Sequence, residues 1–162
     1  MSLIQHSTAR TLGIVLLACT AWLPWAGTAP AQQDEAMFRR TRDPKVISMQ
    51  IKAALPTLER GYAMLISTTE PEPTETAVNL IHDTYRYLRA AQESSEVLES
   101  ISKFPDPLIA LRNRKILDVR DRLLRCWSNR TYLTDPGPIR TGCIEGLQVG
   151  LRNLRVVVAS LP

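Results

Sequence analysis

Apolar residues recur at helical spacing in four stretches of the chain, and no stretch alternates apolar and polar residues as a half-buried strand does. At about 100° per residue, the apolar positions of each stretch fall on one face, as in an amphipathic helix. The predicted helices cover residues 44–67, 74–103, 107–131 and 136–160. The residues predicted to face the core are Ile47, Ile51, Ala54, Leu55, Leu58, Tyr62 and Leu65, then Ala77, Leu80, Ile81, Thr84, Tyr87, Leu88, Ala91, Ser95 and Leu98, then Leu108, Ile109, Ile116, Val119, Leu123, Cys126 and Trp127, and finally Ile139, Cys143, Leu147, Leu151, Leu154, Val157 and Val158.

Helix starts are marked by the dipeptide Asp-Pro, which precedes three of the four stretches at Asp43, Asp106 and Asp135. An Asp side chain accepts hydrogen bonds from the free N–H groups of a first helical turn, and Pro fits the first helical position. For the second helix we expect Thr74 to be the cap. Because the connections are short, consecutive helices should be antiparallel, which predicts an all-α, up-down-up-down four-helix bundle.

The third and fourth predicted helices each carry one cysteine on the core side. Cys126 lies nine residues before Asp135 and Cys143 eight residues after it, on either side of the Pro- and Gly-containing run 132–138. A helix rises about 1.5 Å per residue, so both thiols should lie at the same height on neighbouring antiparallel helices. The spacing therefore predicts an inter-helix disulfide.

The start of the chain has the layout of a secretory signal peptide. A nearly uncharged apolar run follows Arg10 and ends in Ala29-Pro30-Ala31, a triplet suited to cleavage after Ala31. This predicts a signal peptide over residues 1–31, a polar leader over 32–43, the bundle over 44–162, and a periplasmic or secreted protein.

Two other interpretations of the N-terminal segment stay open. In the first, Cys19 after Leu16-Leu17-Ala18 is lipidated, and the protein is a lipoprotein. In the second, the segment is retained as a membrane anchor, although Pro24 interrupts it and its apolar run is shorter than the ~20 residues of a membrane span. Cleavage after Ala31 would leave two of the three cysteines, in a compartment where they oxidise.

Cleavage would also leave one histidine, His82, which argues against paired-histidine metal sites and catalytic triads. His82 shares the polar face of its helix with Arg86 and Arg89 and points away from the core. A haem or copper site built on His82 is accordingly the least favoured hypothesis, and we predict no cofactor, no metal site and no catalytic residue.

Positive charge is concentrated in the last two helices. Residues 107–162 hold 10 Lys and Arg against 4 Asp and Glu, whereas residues 32–106 hold 9 against 12. A basic hairpin favours an acidic protein partner, an anionic ligand or an anionic membrane surface. Export, and the lack of aromatic residues interleaved with the cations, argue against nucleic acid.

Two arginines lie on the apolar sides of their helices, Arg112 in the third and Arg140 near the start of the fourth. A guanidinium in such a position needs a partner. They are candidate anion-binding residues, with Asp106 or Glu99 as counter-charges. The alternative is that their long side chains reach water or the carbonyls of a helix terminus.

The fourth helix contains Gly142, Gly146 and Gly150 at four-residue spacing. Each glycine costs about 1 kcal/mol of helix stability relative to alanine, so the spacing calls for a compensating contact. One explanation is close packing against the small residues Ala77, Ala91 and Ser95 of the second helix. The other is a docking groove for a further helix.

Taken together, these features favour a non-catalytic binding or accessory module that recognises another protein, or a second copy of itself, through the basic hairpin or the glycine face. Two alternatives remain: an anion-binding helical enzyme with an arginine-lined pocket, and, less favoured, a haem- or metal-binding bundle.

Overall fold

A computed structural model describes residues 35, 37–103 and 106–162 of the chain. The predicted signal peptide at residues 1–31, including Cys19, lies outside the described residues. Four long helices are present in the described part: α1 (Pro44–Ser67), α2 (Pro71–Ile101), α3 (Pro107–Ser128) and α4 (Pro138–Ala159). A short 3-10 turn, Arg130–Tyr132, lies between α3 and α4, and the described residues contain no strand.

The helices close into a ring in which each has two neighbours. α1 packs against α2 and α4, and α3 packs against the same two helices. Short connections join consecutive helices, so their directions alternate along the chain. The predicted all-α, up-down-up-down four-helix bundle is confirmed.

The core is aliphatic and receives residues from every helix. Its largest fully buried side chains include Ile51 and Leu58 of α1, Leu88 of α2, Leu123 of α3 and Leu154 of α4. Most of the predicted core positions are buried or packed against the core. Leu108 and Ile139 are exceptions, because each lies in the first turn of its helix, and both side chains are exposed.

Two of the three Asp-Pro dipeptides begin helices as predicted. The Asp43 carboxylate accepts a hydrogen bond from the backbone N–H of Lys45 at 2.9 Å, and that of Asp106 accepts one from Leu108 at 2.8 Å. The prediction for Asp135 was wrong. α4 begins two residues after Pro136, at Pro138, since Gly137-Pro138 offers the same first-position proline later in the turn.

The predicted cap of α2 was also wrong. α2 begins at Pro71 with Glu70 at the N-cap position, and Thr74 lies inside its first turn. The backbone N–H of Thr74 donates to the carbonyl of Glu70 at 3.1 Å, so this residue is already helical. The proline-rich start therefore extends α2 by three residues beyond the predicted boundary at residue 74.

The predicted disulfide is confirmed, since Cys126 of α3 is bonded to Cys143 of α4 with their Cα atoms 5.2 Å apart. Both cysteines are buried in the core. The bond ties together the two helices that flank the turn at Pro138. None of the helices in the described part of the chain is both long enough and apolar enough to cross a membrane.

Candidate functional site

On the outward side of the α3–α4 pair, two separate cavities lie between the helices, and we call the strip of residues that contains both the α3–α4 seam. Its residues recur at three- and four-residue intervals on α3, and on α4 they do so on either side of a seven-residue step from Gly146 to Asn153. They are Leu108, Leu111, Lys115, Asp118, Arg122, Arg125 and Asn129 on α3 and its C-cap, and Ile139, Gly142, Gly146, Asn153, Val156 and Ser160 on α4 and its C-cap.

At one end of the seam, two glycines line an open cavity of about 290 Å³ beside Arg122 and Arg125. Apart from the neighbouring backbone of α4 itself, a Cβ atom added to Gly142 or Gly146 would meet no described atom within 4 Å. No neighbour among the described residues therefore requires a glycine at either position. We call this part, formed by Arg122, Arg125, Ile139, Gly142 and Gly146, the glycine end of the seam.

The third glycine behaves differently. Gly150 is buried, and a Cβ atom there would lie 3.6 Å from Cγ1 of Val119 on α3, an ordinary packing distance. Its neighbour is thus α3, and none of the nearby atoms belongs to the small residues of α2. The predicted close packing of α4 against Ala77, Ala91 and Ser95 of α2 therefore does not explain the glycine spacing.

The middle of the seam is bridged by a polar contact between the two helices. Asp118 of α3 accepts hydrogen bonds from Arg122 at 3.0 Å and from Asn153 of α4 at 2.8 Å. These hydrogen bonds lower the pKa of Asp118 below its ordinary value, and the bond from Arg122 has the largest effect. A satisfied bridge at this point divides the seam into two ends with different chemistry.

The opposite end is apolar and cationic. Leu108, Leu111 and Val156 are exposed there, beside Arg112 and Lys115, around a cavity of about 130 Å³. Arg112 also borders a second cavity, of about 170 Å³, between α1 and the residues that follow α4. Its Nε atom is buried and has no hydrogen-bond partner, and no ion pair joins Arg112 to Asp106, Glu99 or any other described acid.

The second candidate anion-binding residue has a structural role. Arg140 is 6% exposed, and its guanidinium donates hydrogen bonds to the backbone carbonyls of Leu65, Thr68 and Leu133. These contacts hold it at the end of α1, whereas Arg112 lies beside the start of α1. The structure therefore does not bring the two arginines together in one pocket.

His82 lies on the outer face of α2 and is half-buried. Its ring stacks on Trp127 of α3 with centroids 4.1 Å apart, and it shares a groove of about 500 Å³ with Arg86 and Arg89, the face predicted from the sequence. Burial is the largest cause that lowers the pKa of His82 below its ordinary value. The described residues contain no group of three or more His, Cys, Asp or Glu side chains placed to hold a metal ion.

The charges of this second groove are largely matched within the protein. Glu93 accepts hydrogen bonds from Arg40 at 2.6 Å and from Arg89 at 2.8 Å. Arg86 lies 3.5 Å from the Asp83 carboxylate and stacks over the ring of Phe38. The groove is thus an internal network, whereas Arg112, Lys115 and Arg125 beside the seam form no ion pair with a described residue.

The seam as a continuous feature was not identified in the sequence, although a signal for it exists. Leu111 and Lys115 on α3 repeat with the same period as the core stripe but lie beside it, and Leu108, which was predicted to face the core, lies with them. Val156 on α4 occupies the corresponding position opposite them. A second, outward stripe of this kind is readable once the two helices are known to be neighbours.

Comparison of the chain with models of protein families, with curated proteins and with solved structures gave no match. Functional inference therefore starts from the residues of this chain.

Proposed function

We propose that the protein is an exported, non-catalytic binding module that holds another protein against the glycine end of the α3–α4 seam. One observation carries the proposal: Gly142 and Gly146 face open space at the surface of a helix. A partner helix or strand can approach the α4 backbone there without meeting a side chain.

The two exposed glycines lower the stability of α4. Each one in a helix interior destabilises the fold by about 1 kcal/mol relative to alanine. Gly150 has a buried environment against Val119, but Gly142 and Gly146 have no such neighbour among the described residues. A contact made only in a complex would offset this cost, and alanine at either position would hold the partner farther from the helix.

Charge supports an acidic protein as the partner. Arg122 and Arg125 border the glycine end, and residues 107–162 carry 10 basic against 4 acidic side chains. Two copies of the protein meeting through this face would bring like charges together, which disfavours a homodimer. Ile139, exposed at the edge of the cavity, supplies an apolar contact within a basic rim.

Export is part of the proposal and rests on the sequence. The apolar run before Ala31 has the order of features that signal peptidase recognises. The disulfide between Cys126 and Cys143 supports it, because such bonds persist in oxidising compartments. We place the mature protein in the periplasm or outside the cell.

Site-specific photo-crosslinking in the producing cells tests the proposal. A photoreactive amino acid replaces Ile139 at the glycine end, and in a matched control it replaces Arg60, which is exposed on α1. We expect a discrete crosslinked species from position 139 that position 60 does not give, and mass spectrometry identifies the partner. No adduct from position 139, or the same adducts from both positions, would contradict the proposal.

A further inference from the structure

At the opposite end of the seam, the bundle carries exposed apolar side chains beside unmatched cations. We call this the Arg112 patch, and it consists of Leu108, Leu111, Arg112, Lys115 and Val156, which border one cavity between α3 and α4. We infer that the Arg112 patch binds the phosphate headgroups of an anionic lipid surface, so that the bundle rests on a membrane through this end.

The cations of the patch have no partners within the described protein. Neither Arg112 nor Lys115 forms an ion pair with a described residue. A phosphate oxygen is the acceptor that a guanidinium fits best, since both offer charge and parallel hydrogen bonds.

The apolar members of the patch are unusually exposed for large side chains. Leu108 is 73% exposed, and Leu111 and Val156 are each 54% exposed. They lie where α3 begins and α4 ends, at one end of the bundle. Exposed aliphatic groups flanked by Lys and Arg match the interfacial region of a membrane, where apolar groups enter the acyl boundary and cations meet the headgroups.

Charge favours a lipid surface over a second copy of this chain at the patch. A second copy would place Arg112 and Lys115 against the same cations.

Vesicle co-sedimentation of the full chain tests the inference, with vesicles of phosphatidylglycerol compared with vesicles of phosphatidylcholine. Every variant keeps the N-terminal segment, so any contribution of that segment is the same throughout. Arg112→Gln is compared with Arg60→Gln, an exposed arginine on α1. Leu108→Ser is compared with Leu124→Ser, an exposed leucine in the last turns of α3.

We expect the protein to bind phosphatidylglycerol and to bind it less as salt is added, because headgroup attraction is screened. Arg112→Gln should lower the partition coefficient about fivefold. Leu108→Ser should lower it by about threefold to tenfold, since an inserted leucine loses its burial. Arg60→Gln and Leu124→Ser should bind as the unaltered protein does.

Three results would overturn the inference. They are the absence of binding to phosphatidylglycerol, equal binding to phosphatidylcholine, and equal losses in the patch variants and their controls. Leu108 and Arg112 lie at least partly at the surface, so circular dichroism should show the same helical content in all four variants. The glycine end is unaltered in every variant, so its crosslinked partner remains an independent observation.

Discussion

The guanidinium of Arg140 at the start of α4 donates a hydrogen bond to the backbone carbonyl of Leu65, 75 residues earlier in the last turn of α1. The same side chain donates to the carbonyls of Thr68 and Leu133. Carbonyls in the last turn of a helix have no partner within that helix, and a cation there is also favoured by the helix dipole. One buried arginine therefore joins the end of α1 to the turn before α4.

Replacing Arg140 should be among the most destabilising changes in α4. Arg140→Ala removes the donor to three carbonyls, and we expect a loss of about 2–4 kcal/mol in the free energy of unfolding. Urea unfolding followed by circular dichroism measures this. The control is Arg152→Ala, exposed on the same helix, which should change stability by less than about 0.5 kcal/mol. Equal effects of the two variants would mean that the Arg140 contacts do not hold the helices together.

Reduction of the disulfide should lower stability without changing the fold class. Cys126 and Cys143 are 17 residues apart, and closing a loop of that size in the unfolded chain stabilises the native state by about 3 kcal/mol on the chain-entropy model. Urea unfolding with and without a reductant measures the difference. The double variant Cys126→Ala/Cys143→Ala should be indifferent to reductant. A native protein that is equally stable in both conditions would refute the prediction.

Replacing glycines of the bundle by alanine should raise stability at some positions and lower it at another. Gly142→Ala and Gly146→Ala should each stabilise the protein by up to about 1 kcal/mol, because the added methyl group meets open space. At Gly61 of α1, a Cβ would lie 3.1 Å from the backbone carbonyl oxygen of Ala77 and 3.2 Å from Cβ of Leu80. Gly61→Ala should therefore destabilise the protein by about 1–3 kcal/mol through overpacking of α1 against α2.

Thermal or urea unfolding of these variants decides the point. If Gly142→Ala and Gly146→Ala destabilised the protein as Gly61→Ala does, the two seam glycines would be needed for packing within the bundle. Their presence would then not require a partner.

Stability should fall on mild acidification because of His82. Burial lowers its pKa below the ordinary value of 6.5, so the unfolded chain takes up a proton at a higher pH than the folded one. The contribution of His82 is complete above pH 6.5 and is lost as the pH falls toward the folded pKa. The groups facing His82 include Asp83, Arg86, Arg130 and the ring of Trp127.

The test compares unfolding free energies of the native protein and of His82→Gln at about pH 8 and about pH 5. The native protein should lose more stability than the variant over this interval, and NMR titration should give a His82 pKa below 6.5. Equal losses of stability in the native protein and in His82→Gln would mean that His82 does not cause this pH dependence.

The parts of the fold that sequence reasoning predicted depend on local chemistry. Asp43 and Asp106 are followed by proline and begin helices, because capping and a fixed backbone angle act within one turn. The disulfide followed from the positions of Cys126 and Cys143 relative to one turn. The core stripe followed from periodicity, which a bundle converts directly into burial.

The features of the fold that the sequence did not predict depend on contacts between residues far apart in the chain. Leu133 is fully buried in the core although it lies in a turn, and its carbonyl accepts a hydrogen bond from Arg140. α4 begins at Pro138 and not at Pro136, and because both prolines are possible first residues of a helix, local signals alone do not choose between them. Gly150 faces Val119 because of the way α4 is rotated about its axis relative to α3, and the sequence of α4 alone does not determine that rotation.

A partner that approaches α4 across Gly142 and Gly146 should be held off when both residues are alanine. The yield of the adduct formed from position 139 is measured for the native background and for Gly142→Ala/Gly146→Ala, with Gln148→Ala on the exposed side of α4 as the control. We expect the double variant to be more stable than the native protein yet to give a much lower yield, while the control keeps its yield. An undiminished yield in a stable double variant would mean that no partner approaches α4 across these two glycines.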